Sequence, residues 1–183
     1  MRIGVFILFL VLFVVLDTSL MEMLRIGGTV PGLAGTLAVF LVLAAPRRNA
    51  LWACLAIGLL LDFNVDALYE GRPYHLIGPY TLGFLFGANL ILPLRSMVFS
   101  RNPLTFGLLT ALFLLAVAIV YLALWQIRGH YAGSVPIWGD GSAVGAFGQR
   151  LLWALYSGAI AIPAGWLLVR TTPLWGFTGS TIR

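Results

Sequence analysis

The stretch Gly58–His75, GLLLDFNVDALYEGRPYH, places carboxylates directly after an apolar run. The chain has 183 residues and six acidic side chains, and three of the six lie in this stretch: Asp62, Asp66 and Glu70. A helix confined to the apolar run Ala50–Leu61 would be about 18 Å long, too short for the ~30 Å hydrocarbon core of a bilayer. We therefore predict that the helix continues past Asp62 to about Val65, and that this carboxylate lies near a membrane boundary.

The composition predicts an integral membrane protein. Hydrophobic residues make up 61% of the chain and charged residues 9%, whereas soluble domains are about 45–50% apolar and about 25% charged. The net charge of +5 comes from arginine alone, because the chain has no lysine. No basic cluster is longer than Arg47-Arg48, so a nucleic-acid partner is excluded. The single cysteine, Cys54, excludes a disulfide within the chain.

Six apolar runs predict an all-α fold, with one six-transmembrane-helix bundle over residues 1–183. The second and third runs are short, and a hairpin that dips into the bilayer is the alternative to two crossings. The charged turn at Pro46, Arg47 and Arg48 favours two crossings. The first run resembles a signal peptide, but residues 17–20 (DTSL) offer no small-x-small cleavage site, so we expect a retained span. The predicted spans are 3–20, 29–45, 50–65, 76–92, 104–125 and 151–169.

The arginines predict the orientation. With the N-terminus in the cytoplasm, seven arginines fall on inside segments and four on outside segments, which agrees with the excess of basic residues in cytoplasmic loops. The inside set is Arg2, Arg47, Arg48, Arg95, Arg101, Arg170 and Arg183, and the outside set is Arg25, Arg72, Arg128 and Arg150. We therefore predict that both termini are cytoplasmic. The segment Gly129–Gly148 is then the longest external loop.

Asp62 is a candidate functional residue by its position alone. An ionisable group at a membrane boundary costs free energy unless it faces the bundle interior or water. One interpretation is structural, in which the carboxylate caps the next helix or pairs within the bundle. A second interpretation is that Asp62 takes part in an interaction or a mechanism, and a third is that it is catalytic.

The acidic cluster that begins at Asp62 has three interpretations. Asp62 and Asp66, four residues apart, resemble a metal site together with Glu70 and His75, but transition metals want two or more nitrogen or sulfur ligands. A hard-ion site made of carboxylates is the second interpretation. A solvated outer acidic loop, neutralised by Arg72, is the third. The sequence has no Gly-x-Ser-x-Gly, no phosphate loop and no paired histidine and cysteine. We predict a protein that is not an enzyme, without catalytic residues, metal or cofactor.

Small residues in the fourth span predict close helix packing. Gly83 and Gly87 form a small-xxx-small pair, and Gly78 lies one and a half turns earlier. Such pairs let helix backbones approach closely, either within one chain or at a dimer or partner face. Asn89 in the same span is expected to be buried and to need an interhelical partner.

These residues carry a resemblance to a known family. Leu43–Asn49 (LAAPRRN), Gly58–Asp62 (GLLLD), Leu76–Gly78 (LIG) and Phe99–Pro103 (FSRNP) resemble motifs of the rod shape-determining protein MreD family. That family has a Pro-His/Arg-Arg turn, a Gly-Leu-x-x-Asp ending of the next span and a Leu-Gly pair that opens the span after it. The resemblance covers roughly residues 30–125.

One segment departs from the family pattern. Between Asp62 and Leu76 the family usually has a short glycine-rich link, whereas this link is longer and carries Asp66, Glu70 and Arg72. Asp62 therefore corresponds to the aspartate of the family's Gly-Leu-x-x-Asp motif. The other charges are an addition of this chain, on the face where outer partners would meet it.

The resemblance implies a non-enzymatic scaffold in the bacterial inner membrane. Such a protein binds MreC and helps to couple the cytoplasmic actin-like MreB to peptidoglycan synthesis and cell shape. Its expected partners are the lipid bilayer, an MreC-like protein and, indirectly, MreB and cell-wall synthases, with a homodimer within the complex as a further expectation. The family's fold is similar to the substrate-binding subunits of energy-coupling-factor transporters.

That similarity supplies the alternative function. A small-molecule-binding transport subunit on the same six-helix plan would have an apolar pocket near the outer face. Its polar contacts would be Asp62, His75 and Asn89. An intramembrane enzyme is a third hypothesis, without a catalytic constellation to support it.

Overall fold

The computed structural model describes residues 2–64, 67–69, 72–74, 77–95, 103–132 and 143–177. Within these ranges the chain forms six α-helices, which confirms the predicted helical fold. The helices are α1 (Ile3–Met23), α2 (Ala34–Ala44), α3 (Arg47–Asn64), α4 (Pro79–Leu94), α5 (Pro103–Ala132) and α6 (Ala143–Arg170). A single 3₁₀ turn, Thr172–Trp175, follows α6.

A small β-hairpin lies between α3 and α4. Its strands β1 (Ala67–Tyr69) and β2 (Arg72–Tyr74) are antiparallel, with Leu68 opposite Pro73. The predicted acidic loop therefore contains regular structure. Three-residue strands carry no apolar alternation that a sequence reading could detect.

The helix α2 forms the centre of the bundle. All eleven of its residues are buried, and it contacts each of the other five helices. At 1.5 Å per residue it is about 16 Å long, so it does not reach across a bilayer by itself. Residues 29–33 of the predicted span 29–45 precede the helix.

Three helices are long and apolar enough to cross a membrane, by length and composition, within the described part of the chain. They are α1, the part Pro103–Ile127 of α5 and the part Val144–Arg170 of α6. This is compatible with a membrane protein. α1 is the least covered of the three, since it exposes large apolar side chains along its length: Ile3, Ile7, Leu8, Val11, Leu12, Val15, Leu20 and Met23.

The sixth helix begins earlier than predicted. It starts at Ala143 and not near Leu151, while α5 continues to Ala132, so helix covers both ends of the predicted loop Gly129–Gly148. Glycine costs only about 1 kcal/mol relative to alanine inside a helix, and packing against neighbouring helices can outweigh that. Arg150, expected outside the span, therefore lies within α6.

The two ends of the described part of the chain lie at the same end of the bundle. The backbone N–H of Arg2 donates to the carbonyl of Trp175 at 3.0 Å. At this end, which we call the arginine end, lie Arg2, Arg47, Arg48, Arg95 and Arg170. The opposite end holds the α1–α2 connection, the β-hairpin and Asp62, and we call it the Asp62 end.

Candidate functional site

Asp62 is the most completely hydrogen-bonded carboxylate among the described residues. It lies in the last turn of α3 with an exposed fraction of 2%. Its Oδ2 accepts the backbone N–H of Gly78 at 2.9 Å, and the N–H and Oγ1–H of Thr81 at 3.0 and 2.6 Å. Its Oδ1 accepts the N–H of Tyr80 at 2.9 Å. The helix α3 therefore continues past Asp62, as predicted, and the carboxylate caps α4.

The chemistry of this cap is that of a helix N-terminus. The first N–H groups of a helix have no partner inside the helix and carry partial positive charge. A carboxylate from another helix satisfies both needs, and the four donors in turn stabilise a charge removed from water. Four donors of the chain thus hold both oxygens of Asp62, which fits the structural interpretation of this residue.

Two sequence features bring α4 to Asp62. Gly78 has φ of 133°, a backbone conformation that side chains with a Cβ rarely adopt, and Pro79 follows it at the first helical position. Gly58, one turn before Asp62, faces the backbone of α4. A Cβ on Gly58 would lie 2.6 Å from Thr81 Cα and 2.9 Å from the Tyr80 carbonyl oxygen, so only glycine fits here without movement of the backbone.

A second aspartate does the same for α2. Asp17 lies in α1, and its oxygens accept the backbone N–H groups of Leu33 at 2.6 Å and Ala34 at 3.1 Å. In the sequence, Asp17 stands out only as part of the segment 17–20, which lacks a cleavage site. Its distance of 16 residues from Leu33 equals that of Asp62 from Gly78, but no feature of the sequence marks Asp17 and Leu33 as a pair.

Arg150 joins α6 to α4 and α5 near this cap. Its Nη1 donates to the Tyr80 hydroxyl at 3.1 Å, and its guanidinium carbon lies 4.2 Å from the centroid of the Tyr121 ring. The Trp153 ring is also close, at 5.8 Å. Tyr80 and Tyr121 contact each other with ring centroids 4.9 Å apart. Tyr80 therefore connects Asp62, through its backbone, to Arg150, through its hydroxyl.

An open groove lies beside Arg150 at the Asp62 end. Its volume is about 560 Å³. The α1–α2 connection forms one wall and α6 the other, with lining residues Gly27, Gly28, Thr29, Val30, Gln149, Arg150, Leu152 and Trp153. Two further hydrogen bonds fix the connection against α6, from Gly32 N–H to Ser157 Oγ at 2.9 Å and from the Tyr156 hydroxyl to the Leu24 carbonyl at 2.8 Å.

The prediction for Asn89 is wrong. Its side chain is exposed, and its Nδ2 donates to the Leu85 carbonyl four residues earlier at 2.9 Å. An asparagine can satisfy itself on its own helix in this way, so it needs no interhelical partner. Asn89 also lies nine residues beyond Tyr80 in α4, about 13 Å along the axis. The structure therefore does not bring Asn89 together with Asp62 in one pocket.

Gly83 and Gly87 pack within the chain. A Cβ on Gly83 would lie 3.0 Å from Val117 Cγ1, and one on Gly87 would lie 2.8 Å from the Phe113 ring. Both glycines are buried against α5. The interpretation as intrachain packing is the one that the structure matches, and a partner or dimer face at these glycines is not available.

The turn before α3 lies at the arginine end. The carbonyl of Pro46 accepts the Ala50 N–H at 3.0 Å, and Arg47 and Arg48 are exposed. Arg95, at the end of α4, donates from Nη1 to the Ala45 carbonyl at 2.7 Å. Partial burial lowers the pKa of Arg95, although an arginine stays charged at neutral pH. These residues join the ends of α2, α3 and α4.

Several predicted residues lie outside the described ranges. They are Asp66, Glu70, His75, Leu76 and the segment 99–102, and for Arg72 the structure describes the backbone only. Within the described ranges, no group of three histidine, cysteine, aspartate or glutamate side chains could hold a metal ion.

No protein-family model matches the sequence, and no curated protein or solved structure matches it. The functional interpretation therefore depends on the residues and their geometry.

Proposed function

We propose that the chain is a non-enzymatic, multi-pass scaffold of the bacterial inner membrane, similar to the MreD family. It would have six spans with both termini cytoplasmic, and the arginine end would face the cytoplasm. The short helix α2 would lie at the centre of the bundle, and the short helix α4 would complete it beside α3 and α5. Its partner would be an MreC-like protein with a single membrane anchor, through which it contributes to cell-wall synthesis and cell shape.

The observation that supports this proposal most is the environment of Asp62. The two motifs of the resemblance that lie on either side of the β-hairpin, Gly58–Asp62 and the glycine at 78, meet in one contact, because Asp62 accepts the Gly78 N–H. Gly58 provides the close approach. A motif whose polar atoms are all used inside the chain suits a protein that acts through shape and contact, and not through chemistry at this carboxylate.

One surface available to a partner helix is on α1. The glycines of α4 are covered by α5, whereas α1 exposes apolar residues along its whole length. Helices associate in lipid through packing and a few hydrogen bonds. A single-span partner that packs along α1 would therefore cover apolar side chains without displacing any helix of the bundle.

The test is a pull-down of the tagged protein from its native membrane in a gentle detergent, with partners identified by mass spectrometry. We expect an MreC-like protein with one anchor and an outer domain, absent from the same preparation without the tag. In an Asp62→Ala variant, recovery per folded molecule should be unchanged, because a residue exposed by only 2% contacts no partner. Recovery of paired ATPases and a coupling membrane subunit would contradict the scaffold.

One observation supports the alternative that the protein is a transport subunit. The groove of about 560 Å³ at the Asp62 end has the size of a small-molecule site. Its lining differs from the predicted set, since Asp62 and Asn89 are not part of it. A ligand that binds the folded state raises thermal stability, so a vitamin panel in a thermal unfolding assay tests this alternative. No shift with any compound would exclude the tested vitamins as ligands.

A further inference from the structure

Arg150 has no carboxylate partner among the described residues. Its contacts there are with Tyr80, Tyr121 and Trp153. The one ion pair between described side chains, Arg25 with Glu22, lies on the exposed surface. A guanidinium has five N–H donors, and two tyrosine hydroxyls cannot occupy all of them. A half-buried cation in this state is suited to an anion from outside the chain.

The aromatic residues hold the guanidinium in a defined place. Tyr121 lies under it at 4.2 Å, and Tyr80 fixes one nitrogen. A cation stacked on an aromatic face keeps its N–H donors directed outward in its own plane. The planar donor set of arginine matches two oxygens of one phosphate or carboxylate group. Arg150 is therefore pre-organised for an oxyanion.

The groove gives an anion access to Arg150. On its far wall, Gly27 and Gly28 have φ of 57° and 83° and form a tight turn, closed by reciprocal hydrogen bonds between Ile26 and Thr29. No atom lies within 4 Å of the place where a Cβ would be on either glycine. In the described part of the chain, neither glycine donates a backbone hydrogen bond. Both N–H groups are thus available near the groove.

The surface next to the groove is apolar and open. Leu152 lines the groove and is 61% exposed, and Leu155, three residues later on α6, is 55% exposed. Residues three apart lie on the same helix face. A ligand that contacts Arg150 can therefore extend along this strip of α6, which a small hydrophilic anion would leave bare. An amphiphile with an anionic head and an apolar tail would use both parts.

We propose that this groove binds the phosphate of an anionic phospholipid headgroup, with an acyl chain along Leu152 and Leu155. Arg150 contacts the phosphate oxygens, and Gln149 and the N–H groups of the Gly27–Gly28 turn are the further donors of the site. The proposal does not depend on the scaffold function, since it requires only that the chain lies in a bilayer.

The experiment measures thermal unfolding of the full chain in lipid nanodiscs. Discs of phosphatidylcholine alone are compared with discs that also contain phosphatidylglycerol, which adds a negative headgroup. We expect phosphatidylglycerol to raise the Tm of the wild type, since a ligand that binds the folded state stabilises it. Arg150→Gln should weaken the apparent lipid affinity on the order of tenfold or more, as expected for loss of a charge-assisted contact.

Two variants make the result specific. Arg25→Gln removes an exposed arginine at the same end, already paired with Glu22, and should retain the full phosphatidylglycerol effect. Gln149→Glu places a negative charge at the exposed edge of the groove. It should reduce the effect, because the added carboxylate repels the phosphate and competes for Arg150, so it tests the site even if Arg150→Gln fails to fold.

Three outcomes would overturn the proposal. The first is an equal Tm in the two lipid mixtures for the wild type. The second is a phosphatidylglycerol effect that Gln149→Glu leaves intact or that Arg25→Gln removes, since either would indicate nonspecific attraction. The third is an equal stabilisation by soluble glycerol 3-phosphate in phosphatidylcholine discs, which would assign the groove to a water-soluble anion and not to a lipid.

Discussion

Asp17 and Asp62 perform the same task at two places in the bundle, with different completeness. Each lies near the end of a helix and accepts backbone N–H groups of the following helix, 16 or more residues later. Asp17 accepts two hydrogen bonds and is half-buried, whereas Asp62 accepts four and is buried. In both helix pairs, α1 with α2 and α3 with α4, an aspartate of the first helix therefore caps the N-terminus of the second. The aspartate is more deeply buried in the second pair.

The residue one turn before each aspartate explains the difference. Before Asp62 stands Gly58, whose missing Cβ lets the backbone of α4 come close. Before Asp17 stands Phe13, whose ring is buried. A bulky side chain does not permit the close backbone approach that a glycine permits. The lesson is that the aspartate supplies the cap, but the glycine decides how many donors reach it.

The largest effect is expected from Asp62→Ala. The change leaves three backbone N–H groups and the Thr81 hydroxyl without an acceptor, and each buried unsatisfied group costs about 1–3 kcal/mol. We expect a loss of about 3 kcal/mol or more in the free energy of unfolding, measured by thermal or detergent-induced unfolding. Asp62→Asn, which keeps one acceptor oxygen, should cost about half as much. Equal losses for the two variants would contradict a cap made by oxygen acceptors.

A smaller loss is expected from Gly58→Ala. The new Cβ would lie 2.6 Å from Thr81 Cα, and overpacking of this kind costs about 1–3 kcal/mol. The control is Gly4→Ala in α1, where no atom lies within 4 Å of the added Cβ. The same unfolding assay should show no loss for the control. If Gly58→Ala behaved like the control, the close approach of α3 and α4 would not limit stability.

Asp17→Ala should cost less than Asp62→Ala. Loss of a helix N-cap costs about 0.5–2 kcal/mol, and only two donors lose their acceptor here. The measurement is the same unfolding assay on the two alanine variants side by side. A loss at Asp17 as large as that at Asp62 would mean that the number of hydrogen bonds does not set the energy of these caps.

Asn89→Leu should have the smallest effect, within about 0.5 kcal/mol of the wild type, as for most surface substitutions. Its side chain is exposed and bonds to its own helix. The unfolding assay checks the stability, and a pull-down checks partner recovery. A large loss in either would restore the idea that Asn89 has an interhelical partner.

The sequence predicts the helices of this fold better than their ends. The length of the apolar run and the charge of Asp62 can both be read from the sequence, so the continuation of α3 past Asp62 is predictable. The start of α6 is not, because Gly145 and Gly148, like the glycines before them, are typical of a loop. The sequence consequently places Arg150 on an outside segment and does not indicate its cluster with Tyr80 and Tyr121. The partners of Arg150 come from two other helices, which no local pattern can indicate.

The two helix caps made by Asp17 and Asp62 show the same limit of prediction from sequence. Asp62 was recognisable because it ends a short apolar run, whereas Asp17 lies inside a long one and has no feature of its own. What pairs each aspartate with its donors is the geometry of the connection to the next helix. For α2 that geometry includes the turn at Gly27 and Gly28, whose positive φ values are not visible in the residue letters alone.

The most direct test of the account is a double-mutant cycle between Gly58→Ala and Asp62→Ala, measured by unfolding. If Gly58 acts by bringing the N-terminus of α4 to the carboxylate, the spacing matters less once the carboxylate is gone. The double variant should then lose less than the sum of the single losses, by on the order of 1 kcal/mol, a value typical of coupled neighbours. Losses that add to within about 0.5 kcal/mol would show that the glycine and the aspartate act independently, and would contradict the account.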